Sequence, residues 1–251
     1  MNPDLFLGID FGTGGCRAAA LDAGGELWAE AAVDLPPPRR GDGASEQDPA
    51  LWWDALIEVL RRIVGRIEAG AVRAIAVDGT SATLLLTDAT GRPLGPALMY
   101  DDARGRAEAA RIAAIAPADC AAHGPTSALA KLLHLQDHPS ASHALHQADW
   151  IAGRLCGTYG ISDENNSLKL GYDAVARRWP DWLDRLGVRR ELLPRVAPPG
   201  TPLGTLRAPE ILALGYRADM RVVAGTTDSV AAFLATGAHD LGTAVTSLGS
   251  T

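Results

Sequence analysis

Within its first 28 residues the chain writes three short apolar runs separated by two turns, a pattern that restricts it to folds built outward from a strand meander. Leu5, Phe6, Leu7 and Ile9 lead into Asp10, and Gly12, Thr13, Gly14 and Gly15 then break the run. Cys16 to Leu21 forms a second run closed by Asp22, and Ala23-Gly24-Gly25 turns into a third that reaches Trp28. The tip of the first hairpin therefore carries one carboxylate beside several backbone amides that no side chain shields. Such a tip can approach phosphate oxygens closely while its carboxylate holds a hydrated Mg²⁺. It can equally be an ordinary hairpin with a solvent-facing Asp, and the hairpin alone does not separate the two readings.

Downstream, Pro36-Pro37-Pro38 through Gly43 reads as a loop. Asp48 offers an N-cap and Pro49 suits a first helical turn. Trp52, Trp53, Leu56, Ile57, Leu60, Ile63, Val64 and Ile67 recur at helical spacing, so residues 49–68 are expected to form an amphipathic helix. Val72 to Val77 reads as a strand ending at Asp78-Gly79, with another at Leu84 to Thr87 and a turn over Asp88 to Gly91. The order β-β-β-α-β calls for a mixed sheet with helices against it. From about Leu98 to Tyr216 the pattern becomes helix and loop, with helices expected at 103–116, 127–137, 147–156 and 208–214; this stretch reads as an elaboration of the first sheet. Sheet character returns at Arg221 to Ala224, followed by a Gly225-Thr226-Thr227 turn, a helix from Asp228 to Thr236 and a further strand from Thr243 to Leu248.

Composition narrows the classes of partner. A chain of 251 residues, 47% hydrophobic, can bury the core of one large or two small domains. Its net charge of −7, with no basic block, argues against nucleic acid. Cys16, Cys120 and Cys156 are scattered and odd in number, which argues against a disulfide framework or a zinc site and fits a reducing cytoplasm. No uncharged apolar run reaches membrane-spanning length and no basic leader precedes one, so a soluble cytoplasmic protein is expected, with no membrane partner. His134, His138, His143 and His146 lie close in sequence, but Pro139 interrupts the helix that would align them, and they read as surface residues.

A second carboxylate, Asp228, follows a strand and a Gly-Thr-Thr turn at the first turn of a helix, where α/β proteins place ligands. It is either a helix-capping residue or a general base that takes a proton from a substrate hydroxyl.

Four segments now coincide: Gly8-Ile9-Asp10-Phe11-Gly12-Thr13, Asp78-Gly79-Thr80-Ser81, Tyr100-Asp101-Asp102-Ala103-Arg104 and Gly225-Thr226-Thr227-Asp228. In order and spacing they resemble the FGGY carbohydrate kinases, relatives of actin within the ribonuclease-H-like fold. The likeness covers essentially the whole chain and corresponds to that family's N-terminal domain. Leu5 to Arg17 is similar to the family's first phosphate loop. Gly91-Arg92-Pro93-Leu94 followed by Tyr100, Asp102 and Arg104 resembles its G-x-P-L and W-x-D-x-R segments, and Asp149 to Asp173, with Ser162-Asp163 and Gly171-Tyr172-Asp173, resembles the stretch after the first sugar-binding segment.

The resemblance implies an α/β fold with a ribonuclease-H-like, actin-like mixed sheet, flanking helices and a helical insertion at about 98–216. It implies an enzyme that uses ATP and Mg²⁺ to phosphorylate a sugar hydroxyl. Asp10 would bind the metal, and Gly12, Thr13 and Gly14 would face the transferring phosphate. Asp228 would be the catalytic base and touch the substrate. Asp78, Ser81, Tyr100 and Asp102 would line the sugar pocket, and Gly249, Ser250 and Thr251 resemble the start of a second phosphate loop. The expected partners are a small sugar and, as an assembly open to the family, a second copy in a homodimer. Family members carry two such domains, and this chain is expected to stop as the second begins, leaving residues 1–251 alone with little or no activity.

Two departures bear on substrate. Tyr100 stands where the family usually has Trp, and Gly79-Thr80-Ser81-Ala82 has neither the Gln-Met-His run of typical xylulokinases nor the Asn-Gln-Arg run of glycerol kinases. The chain looks closer to a pentulose-kinase group similar to D-ribulose kinases, which implies a ketopentose such as D-ribulose or D-xylulose. Another actin-fold ATPase or phosphatase would share the Asp10 loop without needing the Gly91 and Tyr100 segments. A non-catalytic sugar-binding domain would tolerate loss of Asp10 or Asp228, and a purely structural domain would not set acidic residues beside three glycine turns.

Overall fold

A computed structural model describes residues 3–246. The chain begins with strands β1 (Leu5–Gly12), β2 (Gly15–Asp22), β3 (Leu27–Asp34), β4 (Arg39–Gly41) and β5 (Ala44–Gln47), then helix α1 (Pro49–Val64). Strands β6 (Val72–Gly79), β7 (Leu84–Thr87) and β8 (Ala97–Leu98) lead to α2 (Arg106–Ile115), α3 (Ala128–Leu135), β9 (His143–His146) and α4 (Gln147–Cys156). Next come β10 (Ile161–Asp163), α5 (Glu164–Ser167), α6 (Trp182–Arg185), β11 (Arg195–Ala197), β12 (Pro202–Thr205) and α7 (Pro209–Leu212). Strand β13 (Arg221–Thr227) and helix α8 (Asp228–Ala235) close the regular structure.

The N-terminal meander forms the heart of a six-stranded mixed sheet of order β12-β13-β6-β1-β2-β3. β1 and β2 are antiparallel, whereas β6 runs parallel to both β1 and β13. Period-two alternation buries Leu5, Leu7, Ile9 and Phe11 on one face and turns Gly8 and Asp10 to the other. The buried face meets the apolar stripe of α1 (Trp52, Trp53, Leu56, Val59, Leu60 and Ile63) and Trp150, Ile151 and Leu155 of α4. Asp48 caps α1 as its sequence announces, accepting from the Ala50 amide at 2.9 Å, while Gly65 ends the helix before residue 68.

A second sheet, β4-β5-β8-β7-β9, carries a second core with α2 and α3. β7 and β9 serve both cores at once. Leu84, Leu86 and Ala144 point into the second, and Leu85 and Leu145 into the first. The segment read as a loop through Gly43 ends instead in the β4–β5 hairpin. Asp42 (φ 47°) and Gly43 (φ 82°) supply the two left-handed residues of a tight turn, an Asp-Gly signal that the preceding prolines masked. His146 also departs from its expected surface position. It is fully buried, with Nδ1 3.2 Å from Asp149 Oδ2 at the start of α4; His134 and His138 are exposed. No strand forms over residues 243–246, and the rest of the segment expected as a strand to Leu248 lies outside the described residues.

Candidate active site at the strand ends

Parallel pairing brings three carboxylates to one edge of the main sheet. Asp10 and Asp78 are register partners at the ends of β1 and β6, and Thr226 of β13 pairs with Asp78, which sets Asp228 two residues beyond it. The C-terminal edge of adjacent parallel strands is where open α/β sheets bind ligands. The approach of β13 depends on Gly225. A Cβ there would lie 2.7 Å from the Val77 carbonyl carbon and closer still to its oxygen, so only glycine lets the ladder close, at a register shift between Val223 and Thr226. Asn165 Nδ2 donates to Thr226 Oγ1 at 2.8 Å, and Asp163 caps α5 from below by accepting from the Asn165 and Asn166 amides.

The β1–β2 hairpin turns over Thr13 and Gly14 alone, braced where the Leu35 amide donates to the Gly14 carbonyl at 2.9 Å. Nothing lies within 4 Å of a Cβ built on Gly14, so its glycine leaves open space at the tip without being needed for the backbone. Asp10 Oδ2 accepts from Arg17 Nη1 at 2.8 Å, directly across the hairpin, and its side chain is 37% exposed.

Asp78 is the most perturbed carboxyl of the three. Burial, the Asp10 charge, a hydrogen bond shared with Asp10 and the Asp228 charge push its pKa up to about 8. Near neutral pH Asp78 therefore holds a proton, and its Oδ1 is buried without a hydrogen-bond partner. Asp228 is the first residue of α8, with Thr227 at the cap position. Burial raises its pKa, the amides of Ser229 and Ser81 lower it, and Asp10 raises it again, leaving it above the ordinary carboxylate value. The Ser81 amide thus links the β6–β7 turn to α8.

The remaining sequence candidates divide. Ser81 belongs to this cluster. Tyr100 follows β8 and is half-buried. Asp102, expected in the sugar pocket, has a side chain that is 0% exposed and accepts from the Ser45 amide at 2.8 Å and from Arg104 Nη2 at 2.8 Å, so it braces its own segment. Arg104 also pairs with Glu46 at 2.8 Å, so the Tyr100–Arg104 spacing serves to tie β5 to the residues after β8. Burial alone would raise the Asp102 pKa, but Arg104 and Ser45 hold it low. The Gly91-Arg92-Pro93-Leu94 segment is likewise framework. A Cβ on Gly91 (φ 80°) would fall within the Tyr159 ring, and Trp150 Nε1 donates to the Gly91 carbonyl at 2.9 Å. Gly249, Ser250 and Thr251 lie outside the described residues.

Two contributors escaped the sequence reading. Arg17 had a usable signal, because hairpin register alone places it opposite Asp10. Gln147 had none: its buried Oε1 accepts from the Thr80 amide and hydroxyl, both at 3.1 Å, from 67 residues away.

As a metal site, Asp10 offers a hard, partly exposed oxygen. Among the described residues no group of three or more His, Cys, Asp or Glu is arranged to hold a metal ion. A cation at Asp10 would therefore draw most of its ligands from water and phosphate, which suits Mg²⁺. No helix among the described residues is long and apolar enough to cross a membrane.

The model of the N-terminal domain of the FGGY family of carbohydrate kinases matches residues 5–235. A xylulose kinase of Escherichia coli (strain K12) is 27% identical over 256 residues, which cover 98% of this chain and 53% of that protein. A glycerol kinase of Gloeobacter violaceus is 29% identical over 92% of this chain and 48% of its own length. The crystal structure of a xylulose kinase from Rhodospirillum rubrum superposes with a TM-score of 0.83 at 24% identity, over 94% of this chain and 51% of that one, so the two share a fold. The chain spans about half the length of the curated relatives it matches.

Proposed function

The chain belongs to the FGGY family of carbohydrate kinases, and from that premise we propose that it forms the sugar-binding half of an ATP-dependent kinase acting on a ketopentose such as D-ribulose or D-xylulose. The observation that carries the reading is the meeting of Asp10, Asp78 and Asp228 at three neighbouring strand ends. In this reading Asp228 accepts the proton of the attacking sugar hydroxyl. Its raised pKa brings it nearer the operating pH than an ordinary carboxylate, which favours proton transfer. The Ser81 amide holds that carboxylate against the β6–β7 turn.

Asp78, protonated, removes one negative charge from a cluster that must admit phosphate. It also orients Asp10 through the hydrogen bond between the two side chains. Arg17 and the bare Thr13–Gly14 turn belong to the same hairpin as Asp10 and would meet phosphate oxygens. A magnesium ion held by Asp10 would supply charge neutralisation for the transferring phosphoryl group. The hydroxyl oxygen then attacks phosphorus as its proton passes to Asp228.

Two features favour a ketopentose: the small Gly79-Thr80-Ser81-Ala82 turn and Tyr100 in place of a larger Trp. Residues 1–251 are read as one domain with 98–216 as its elaboration. Three free cysteines suit a reducing cytoplasm. Coupled ADP release tests the assignment in a protein joining this chain to the second half that its relatives possess, with D-ribulose, D-xylulose, L-ribulose and glycerol as acceptors. A ketopentose is expected to outpace glycerol by at least about tenfold in kcat/KM. Preference for glycerol, or no sugar-stimulated ADP release, would overturn it. The 251-residue chain alone is expected to release little ADP.

A further inference from the structure

Lys131 lies outside the carboxylate cluster, on α3. The chain has two lysines and 21 arginines, and this lysine is 0% exposed among Ala128, Leu129, Leu132 and Leu133 of the second core. An ammonium in apolar surroundings is tolerated only where it is hydrogen-bonded. Lys131 Nζ donates to the Ala82 carbonyl at 2.8 Å and to the Tyr100 carbonyl at 3.3 Å. Burial pulls its pKa down to about 7, against the opposing pull of Asp102 and Asp101.

The two acceptors belong to different turns. Ala82 sits at φ 68°, a left-handed conformation that an alanine rarely adopts, so its turn needs an external hold. The neighbouring residue on that turn is Ser81, whose amide meets Asp228. Tyr100 opens the segment after β8 that Asp102 and Arg104 brace. The chemistry also favours lysine over arginine here. An ammonium on a thin stem can point several donors at two carbonyls within a packed core, whereas a planar guanidinium needs more width.

We propose that Lys131 is a positioning residue for the sugar side of the site: its ammonium ties the Ala82 and Tyr100 carbonyls together and so sets the distance between Ser81 and Tyr100. The functional part rests on Ser81 and Tyr100 being sugar-facing, as proposed above; the tie itself does not.

Amide hydrogen exchange of the 251-residue chain and its Lys131→Met variant, with calorimetric titration of D-ribulose into both, tests the two parts separately. Methionine fills similar volume without a donor. Amides at residues 81–83 and 100–102 are expected to exchange at least tenfold faster in the variant while those of β1 and β6 stay within twofold, and D-ribulose affinity is expected to fall about tenfold. Unchanged protection in both turns would overturn the tie. Loosened turns with affinity within twofold of wild type would overturn the positioning role. A wild-type chain that binds no D-ribulose would count against the sugar reading, and the exchange data would still decide the tie. The unmutated chain gives a check that survives a variant that fails to fold. Labelled with ¹⁵N-lysine, it yields two Nζ signals, of which that of Lys131 is expected to exchange with water far more slowly than that of the partly exposed Lys169. Equal exchange would overturn the proposal.

Discussion

Replacing Gly225 with alanine tests whether the close approach of β13 to β6 builds the site. A Cβ at this position would lie 2.7 Å from the Val77 carbonyl carbon, where ordinary contact begins at 3.4 Å, so β13 must retreat by at least 0.7 Å. The carbonyl oxygen lies nearer and asks for more. Ladder hydrogen bonds of about 2.9 Å would stretch to about 3.6 Å or beyond, past the range in which they count as bonds. The bonds at risk are those of the ladder around the register pairs Val223↔Ala76 and Thr226↔Asp78 on either side of the position. At about 0.5–1.5 kcal/mol each, with the strain of overpacking added, Gly225→Ala should destabilise the chain by about 2–4 kcal/mol. Urea denaturation followed by circular dichroism measures this directly. Because Asp228 rides on the end of β13, the variant should also lose the Ser81–Asp228 contact, visible as a shifted Ser81 amide signal by NMR. A loss under about 0.5 kcal/mol with the Ser81 signal in place would refute the reasoning, since it would mean that the strands tolerate separation.

Other perturbations probe the charges. Asp78 has a folded-state pKa of about 8, well above its unfolded value near 4, so the folded chain binds the extra proton between those limits and loses stability as pH rises through them. In metal-free buffer Asp78→Asn should remove that slope of about 1.4 kcal/mol per pH unit, and the variant's advantage should widen from pH 4 to 8 and then level off; parallel pH profiles would contradict the assigned proton. Asp102→Ala leaves the Ser45 amide unpaired and Arg104 with Glu46 alone, and should cost about 1–3 kcal/mol in thermal or urea unfolding, whereas a neutral effect would return Asp102 to the list of open ligands.

Local signals carried the frame of this fold. The opening meander, the Asp48 cap and the stripe of α1 each state their structure within a few residues, because period two, period 3.6 and capping chemistry are short-range. Asp10, Asp78 and Asp228 were legible for a related reason: each lies at or just past the end of an apolar run beside glycine or threonine, although Gly225-Thr226-Thr227, expected as a turn, continues β13, and parallel strands bring such ends together. What the sequence withheld was tertiary. That Asp102 is buried with Arg104 and the Ser45 amide against it could not be read from its neighbours in sequence. His146 looked like a surface residue until α4 buried it beside Asp149. Gln147 and Lys131 gave no pattern at all, since their partners are 67 and 49 residues away along the chain. The Asp42-Gly43 hairpin was readable, and a run of prolines drew attention from it.

The central claim is that Asp228 takes the proton from the sugar hydroxyl. It is tested most directly by D-ribulose-dependent ADP release from wild type and Asp228→Asn, in a protein joining this chain to the second half found in its relatives. A lost general base should lower kcat by about 10²–10⁴ while KM for the sugar changes only a few-fold. Turnover within threefold of wild type would contradict the account and leave Asp228 as a residue that merely starts α8.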